Sequence, residues 1–292
     1  MNSLIQLKKT TPLFLIVFAL GCFGLLSIAQ AVGPDTEGAI AGSNNGEGIG
    51  VLVSRTTGIW NTGTGFEALN HLTAGNQNTA AGLRALFTDT SGGFNTATGV
   101  YSLYGNTTGF FNSATGAYSM ANNTTGSNNT ANGYSALYFN TEGNDNAATG
   151  FAALYRNTIG TNNTATGEFA LYSNTTGNLN TANGLAALYS NTTGIGNTAE
   201  GGSALALNTT GGSNTAIGVG ALSQNTIGNG NIAVGSFAVM ISPRAIKISL
   251  SVTPTLLLAN PALSASAATH RHAPLSLAFV GWQPETQTPY QS

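Results

Sequence analysis

From residue 44 to residue 238, apolar and polar positions recur every seventeen residues with no insertion. Five successive units show the pattern: "NTATGVYSLYGNTTGFF", "NSATGAYSMANNTTGSN", "NTANGYSALYFNTEGND", "NAATGFAALYRNTIGTN" and "NTATGEFALYSNTTGNL". The consensus is N-T-A-x-G-x-x-A-L-x-x-N-T-T-G-x-x. One apolar column runs Leu52, Leu69, Leu86, Leu103, Met120, Leu137, Leu154, Leu171, Leu188, Leu205 and Leu222. A first glycine column includes Gly99, Gly116, Gly133, Gly150, Gly167 and Gly184, and a second runs from Gly58 through Gly75 to Gly228. An asparagine column, unbroken from Asn44 to Asn231, includes Asn112, Asn129, Asn146 and Asn163.

A fixed short register means that each unit forms one coil and stacks on neighbours of the same shape. Low charge and Asn/Thr/Gly richness also fit a disordered low-complexity tract, but disorder has no use for a fixed register. Seventeen residues is too short for a helical hairpin repeat, which needs about 30. The period predicts an all-β chain: a parallel β-roll or β-solenoid of about eleven 17-residue coils, each with two short strands and two turns. "T-A-x-G" and "A-L-x-x-N-T" are the expected strands. Glycine at the tight places supplies positive φ or close backbone approach. At about 4.8 Å per coil the rod is roughly 50 to 55 Å long.

Two features of the pattern are open to more than one reading. The asparagine column fits a ladder of stacked amides, and it equally fits residues chosen for left-handed turns. Phe87, Tyr104, Tyr138, Tyr155, Tyr172 and Tyr189 form an axial aromatic column. That column fits an exposed binding strip or a surface buried between chains. The small core, an alanine pair and a leucine per coil, favours the second and hence self-association.

The ends depart from the repeat. Residues 1–31 read as a cleaved secretory signal helix: Lys8 and Lys9, the apolar run "PLFLIVFALGCFGLLSIA", and an A-x-A site at Ala29 to Ala31. Lipoprotein processing at Cys22 and an uncleaved anchor are the alternatives; "ALG" before Cys22 lacks the expected large aliphatic residue. Residues 32–43 form a linker. Residues 239–292 are an irregular tail in which every column vanishes at once. Loss of one nucleotide near codon 239 explains that. Rebuilding each codon from the third base of one present codon and the first two of the next permits glycine at positions 245 and 252. It also gives Asn or Asp at 248, Thr-Thr at 243–244, and Ile-Ala-Ile at 249–251. All the required columns return in register. The alternative is a divergent or disordered tail.

Composition narrows the function. Only 6% of residues are charged and the formal net charge is -2, so the chain offers no basic surface for nucleic acid or anionic lipid. After signal removal no membrane span is expected. Cys22 is the only cysteine, leaving a mature chain without disulfides. His71 stands alone, His270 and His272 lie in the tail, and Glu67, Asp89, Glu142, Asp145, Glu168 and Glu200 are scattered singly. No catalytic set, metal-ligand cluster, phosphate loop or cofactor site is expected, so the chain reads as non-catalytic.

"NTAxGxxALxxNTTG" resembles the head repeats of trimeric autotransporter adhesins, and also the stalks that precede self-cleaving, tail-spike-type chaperone domains. The resemblance covers residues 44–238. It implies a left-handed parallel β-roll, three chains side by side, and a secreted or cell-surface structural or adhesive rod with an unknown surface ligand. Both kinds of relative carry a C-terminal anchor or chaperone module. An ice-binding β-solenoid is the alternative, resting on the complete threonine column Thr56, Thr73, Thr90 through Thr226.

Overall fold

The computed structural model describes residues 44–238 and the backbone of residues 249–250. The expected leader, linker and remaining tail lie outside the described residues. The described chain is an all-β parallel solenoid in one thirteen-stranded sheet whose strands follow chain order. The strands are β1 (Asn45–Glu47), β2 (Thr62–Thr64), β3 (Thr79–Ala81), β4 (Thr96–Thr98), β5 (Ser113–Thr115), β6 (Thr130–Asn132) and β7 (Ala147–Thr149). They continue with β8 (Thr164–Thr166), β9 (Thr181–Asn183), β10 (Thr198–Glu200), β11 (Thr215–Ile217), β12 (Ile232–Val234) and β13 (Ser249–Leu250). Every pairing is offset by one repeat, as in Thr130↔Ala147 and Ala131↔Ala148. In each of β1–β12 the central residue points inward and its two neighbours point outward, the alternation that a half-buried strand requires.

Each coil has one strand, not the expected two. The "A-L-x-x-N-T" segment is a run of turns. The reason lies in the core: Ala136 and Leu137 are adjacent in sequence and both fully buried. Successive residues of a strand face opposite ways, so the backbone must leave the β region to turn both inward. It does so by alternating hand. Ser135 has φ 54° and Leu137 φ 52°, in the left-handed region that L-residues avoid at a cost of about 1–2 kcal/mol each. The segment still bridges coils. Ser135 N donates to Ala117 O at 3.0 Å in the preceding coil, and Leu137 N donates to Ala153 O at 2.9 Å in the following one. Leu137, Leu154 and Leu171 all belong to one continuous core with the two alanine columns.

The two glycine columns serve different needs. Gly133, at the corner after β6, has φ 143°, and a Cβ there would lie 2.4 Å from Gly150 O. Gly143, in the second column, has no such φ. It is glycine because a Cβ would meet Asn140 Oδ1 at 2.4 Å and Gly160 O at 2.5 Å.

Two buried amide ladders run along the axis, which decides between the two readings of the asparagines. Asn129 Nδ2 and its backbone N–H each donate to Asn112 Oδ1 at 3.1 Å. Asn146 repeats this on Asn129, and Asn163 on Asn146, at 3.0 to 3.1 Å. None of these four has a left-handed backbone. A second ladder uses the other consensus asparagine: Asn140 Nδ2 donates to Asn123 Oδ1 at 2.7 Å, and Asn157 Nδ2 to Asn140 Oδ1 at 2.8 Å. Gly143 O accepts from Asn129 Nδ2 at 2.8 Å and Asn140 Nδ2 at 2.9 Å, so it ties the ladders together. A buried amide without partners costs about 1–3 kcal/mol; here the neighbouring coils supply the partners, and polarisation along the chain strengthens each bond.

β13 pairs parallel to β12 through Ile232↔Ser249 and Ala233↔Leu250. The seventeen-residue offset thus returns within the tail although the sequence columns do not. An open ladder end pairs through backbone groups alone and accepts foreign side chains.

Candidate functional site

The repeat-defining residues build the coil rather than a site. Gly99, Gly116, Gly133, Gly150, Gly167 and Gly184 form the left-handed corner. Asn112, Asn129, Asn146 and Asn163 are buried in the first ladder, and Leu137, Leu154 and Leu171 in the core. Among the described residues no three His, Cys, Asp or Glu side chains cluster as metal ligands, and no helix is long and apolar enough to cross a membrane. The surfaces between the corners are what remain to act on other molecules.

The first surface is aromatic. Tyr138, Tyr155, Tyr172 and Tyr189 stack in line, with centroids 5.1 to 5.3 Å apart and planes within 13°. Phe87 and Tyr104 stack the same way at 5.2 Å, and Ala121 interrupts the column. Beside it runs a second column, one residue after the first glycine, which sequence reasoning passed over. It exposes Ile49, Phe66, Leu83, Val100, Tyr134 and Phe151, then Leu185 and Val219. Between the columns Ser135 and Ala152 are small and form the floor of a groove of about 380 Å³. Tyr134 and Phe151 wall one side, Tyr138, Tyr155 and Tyr172 the other, and Tyr118 and Phe169 complete the lining. Desolvation, then the neighbouring Tyr172 and Tyr138, pushes the Tyr155 phenol above its ordinary pKa. Arg84 lies over Phe87 at 5.2 Å and Arg156 over Tyr172 at 5.8 Å, as cations do over ring faces.

The second surface carries the complete threonine column. Its hydroxyls point along the axis: Thr141 Oγ1 donates to Thr158 O at 3.1 Å, and Thr158 Oγ1 to Thr175 O at 3.0 Å. The same bond links Thr56 to Thr73 and Thr192 to Thr209, each at 3.0 Å. These donors hold coils together and are not offered outward.

The third surface is the outer face of β1–β12, with two outward side chains per strand, both exposed on nine strands and one of them half-buried on β3, β10 and β11. It is dominated by threonine; its only charged residues are Glu47 and Glu200.

One ionisable group is out of place. Asp89 occupies an asparagine position at the head of the second ladder and is fully buried. Its Oδ1 accepts from Gly92 N at 2.9 Å and from Asn106 Nδ2 at 3.4 Å, and its Oδ2 has no partner. Burial pushes its pKa up to about 7, against hydrogen bonds from Gly92, Asn106 and Thr90 that lower it. The signal was in the sequence, where aspartate stands one repeat before an unbroken run of asparagines from Asn106 to Asn225, but an isolated acid reads as solvated surface.

No family model, curated protein or solved structure matches this chain. The fold and its three surfaces are therefore the ground for function.

Proposed function

We propose that the chain is an exported, non-catalytic structural or adhesive rod that associates laterally with copies of itself, as a trimer, through the aromatic face. The β-solenoid fits a rod, and the exposed apolar strip carries the reading. Phe151 is 46% exposed, Tyr134 50% and Leu185 57%. Isolated exposed apolar residues are ordinary, but a strip larger than a few hundred Å² marks an interaction surface. At about 50 Å by 15 Å the strip covers roughly 750 Å², close to the ~800 Å² per partner of a standard interface. A second copy has the same axial period, so each ring row meets an equivalent row along the full length. Adhesion to a host or matrix surface belongs to the outward faces of that assembly, and export to the N-terminal signal.

The test is the solution mass of the mature chain by sedimentation. A trimer is expected, falling to monomer when Tyr134, Phe151 and Leu185 are replaced by serine, with the solenoid's far-ultraviolet spectrum retained. A stable wild-type monomer at tens of micromolar refutes lateral association.

A further inference from the structure

The strand face differs chemically from the rest of the rod. On β1–β12 the first outward position holds Thr or Ser on nine of twelve strands: Thr62 to Thr130 on five successive coils, then Thr164 to Thr215 on four. The second outward position adds Thr64, Thr98, Thr115, Thr149 and Thr166. Unlike those of the Thr56–Thr226 column, these hydroxyls have no protein partner among the described residues. The strand ladder sets their spacing at about 4.8 Å along the axis and about 6.7 Å across it. Register is fixed at one repeat per coil throughout, so the donors and methyls form a two-dimensional array.

We propose that this face binds the ordered water of an ice surface. Charge complementarity selects the occupant. With only Glu47 and Glu200 charged, the face holds neither nucleic acid nor a lipid headgroup, which need opposite charge. A protein strand has no purchase, since the backbone groups of β1–β12 already pair within the sheet. What remains is a neutral lattice that repeats in two directions and accepts and donates hydrogen bonds. The array's two spacings lie close to the in-plane repeats of ordinary ice. A crystalline polysaccharide is the other neutral lattice, but it is held by aromatic platforms, and the aromatic residues lie on a different face of this rod. The threonine methyls order the bridging water and the unpaired hydroxyls anchor it. The proposal is independent of lateral association, which uses the aromatic face.

The experiment is thermal hysteresis and ice-crystal shaping by the mature chain, together with adsorption of the fluorescently labelled chain to a single-crystal ice hemisphere. Faceted growth and labelling of defined ice planes are expected. Thr130→Lys with Thr164→Lys should reduce both to the level of an inert protein while the melting temperature holds, because both side chains point to solvent. Thr141→Val, which removes a tied hydroxyl, should leave them unchanged. Absence of hysteresis in the wild-type chain overturns the proposal. So does hysteresis that survives the paired lysine variant, or retention on crystalline cellulose or chitin that the same variant abolishes.

Discussion

Replacing Asp89 by asparagine should stabilise the rod above neutral pH and remove most of its pH dependence. In the folded chain the Asp89 pKa is raised from 3.8 to about 7. The folded state therefore favours the protonated acid. Stability is fully present below the ordinary carboxylate range and is lost as pH rises through about 7. A shift of about 3 units corresponds to roughly 4 kcal/mol between the two limits. The geometry agrees: Oδ2 has no partner, and the bond from Asn106, at 3.4 Å, is longer than the 2.7 to 2.9 Å bonds lower in the ladder. Asparagine at this position gains a donor for Gly92 O, as Asn140 has for Gly143 O. Denaturant titration at pH 5 and pH 8 reads the effect, and amide exchange in the coils between Thr73 and Gly109 shows where it acts. The wild-type chain should lose up to about 3 kcal/mol between those pH values, because only the part of the shift between pH 5 and about 7 is sampled, and D89N only a small fraction of it. Equal stability of the wild type at both, or the same loss in D89N, refutes the assignment.

Gly143→Ala should cost about 3 kcal/mol or more, because its Cβ would collide with Asn140 Oδ1 and a backbone carbonyl; a variant within 1 kcal/mol of wild type in denaturant would contradict the node role. Leu179→Asn should be neutral or stabilising by up to about 1 kcal/mol, since Leu179 is exposed at φ 58° and Asn162 occupies the same column; a clear loss in melting temperature would count against left-handed strain. The gene supplies a further check: one base added at codon 239 should open a frame with glycine at positions 245 and 252. Stop codons in that frame would make the tail a genuine segment.

The coil count, parallel stacking and single core were legible in the sequence because each rests on the period, and the period has no exceptions between residues 44 and 238. The second strand was misread because residue preference and core geometry point opposite ways. Leu137 disfavours a left-handed backbone, yet only that backbone turns it inward beside Ala136. Two side chains packed between coils outweigh one local preference. The surfaces were less legible. The Thr56–Thr226 column stood out because it has no gaps, but its regularity serves the axial bonds from hydroxyl to carbonyl. The strand-face threonines vary more in sequence, yet their hydroxyls are left without a protein partner among the described residues.

Both amide ladders point the same way, each side-chain donor reaching toward the preceding coil. The bonds that join coils thus lie along the direction in which a tethered rod would be pulled. Under tension each coil carries nearly the same load on nearly the same set of bonds. Coils should detach one at a time from an end, at similar force. Each release frees seventeen residues and lengthens the chain by about 50 Å. The molecule would behave as a stepwise shock absorber, and the longer ladder bond at Asp89 marks a step cheaper than those of the asparagine coils that follow it.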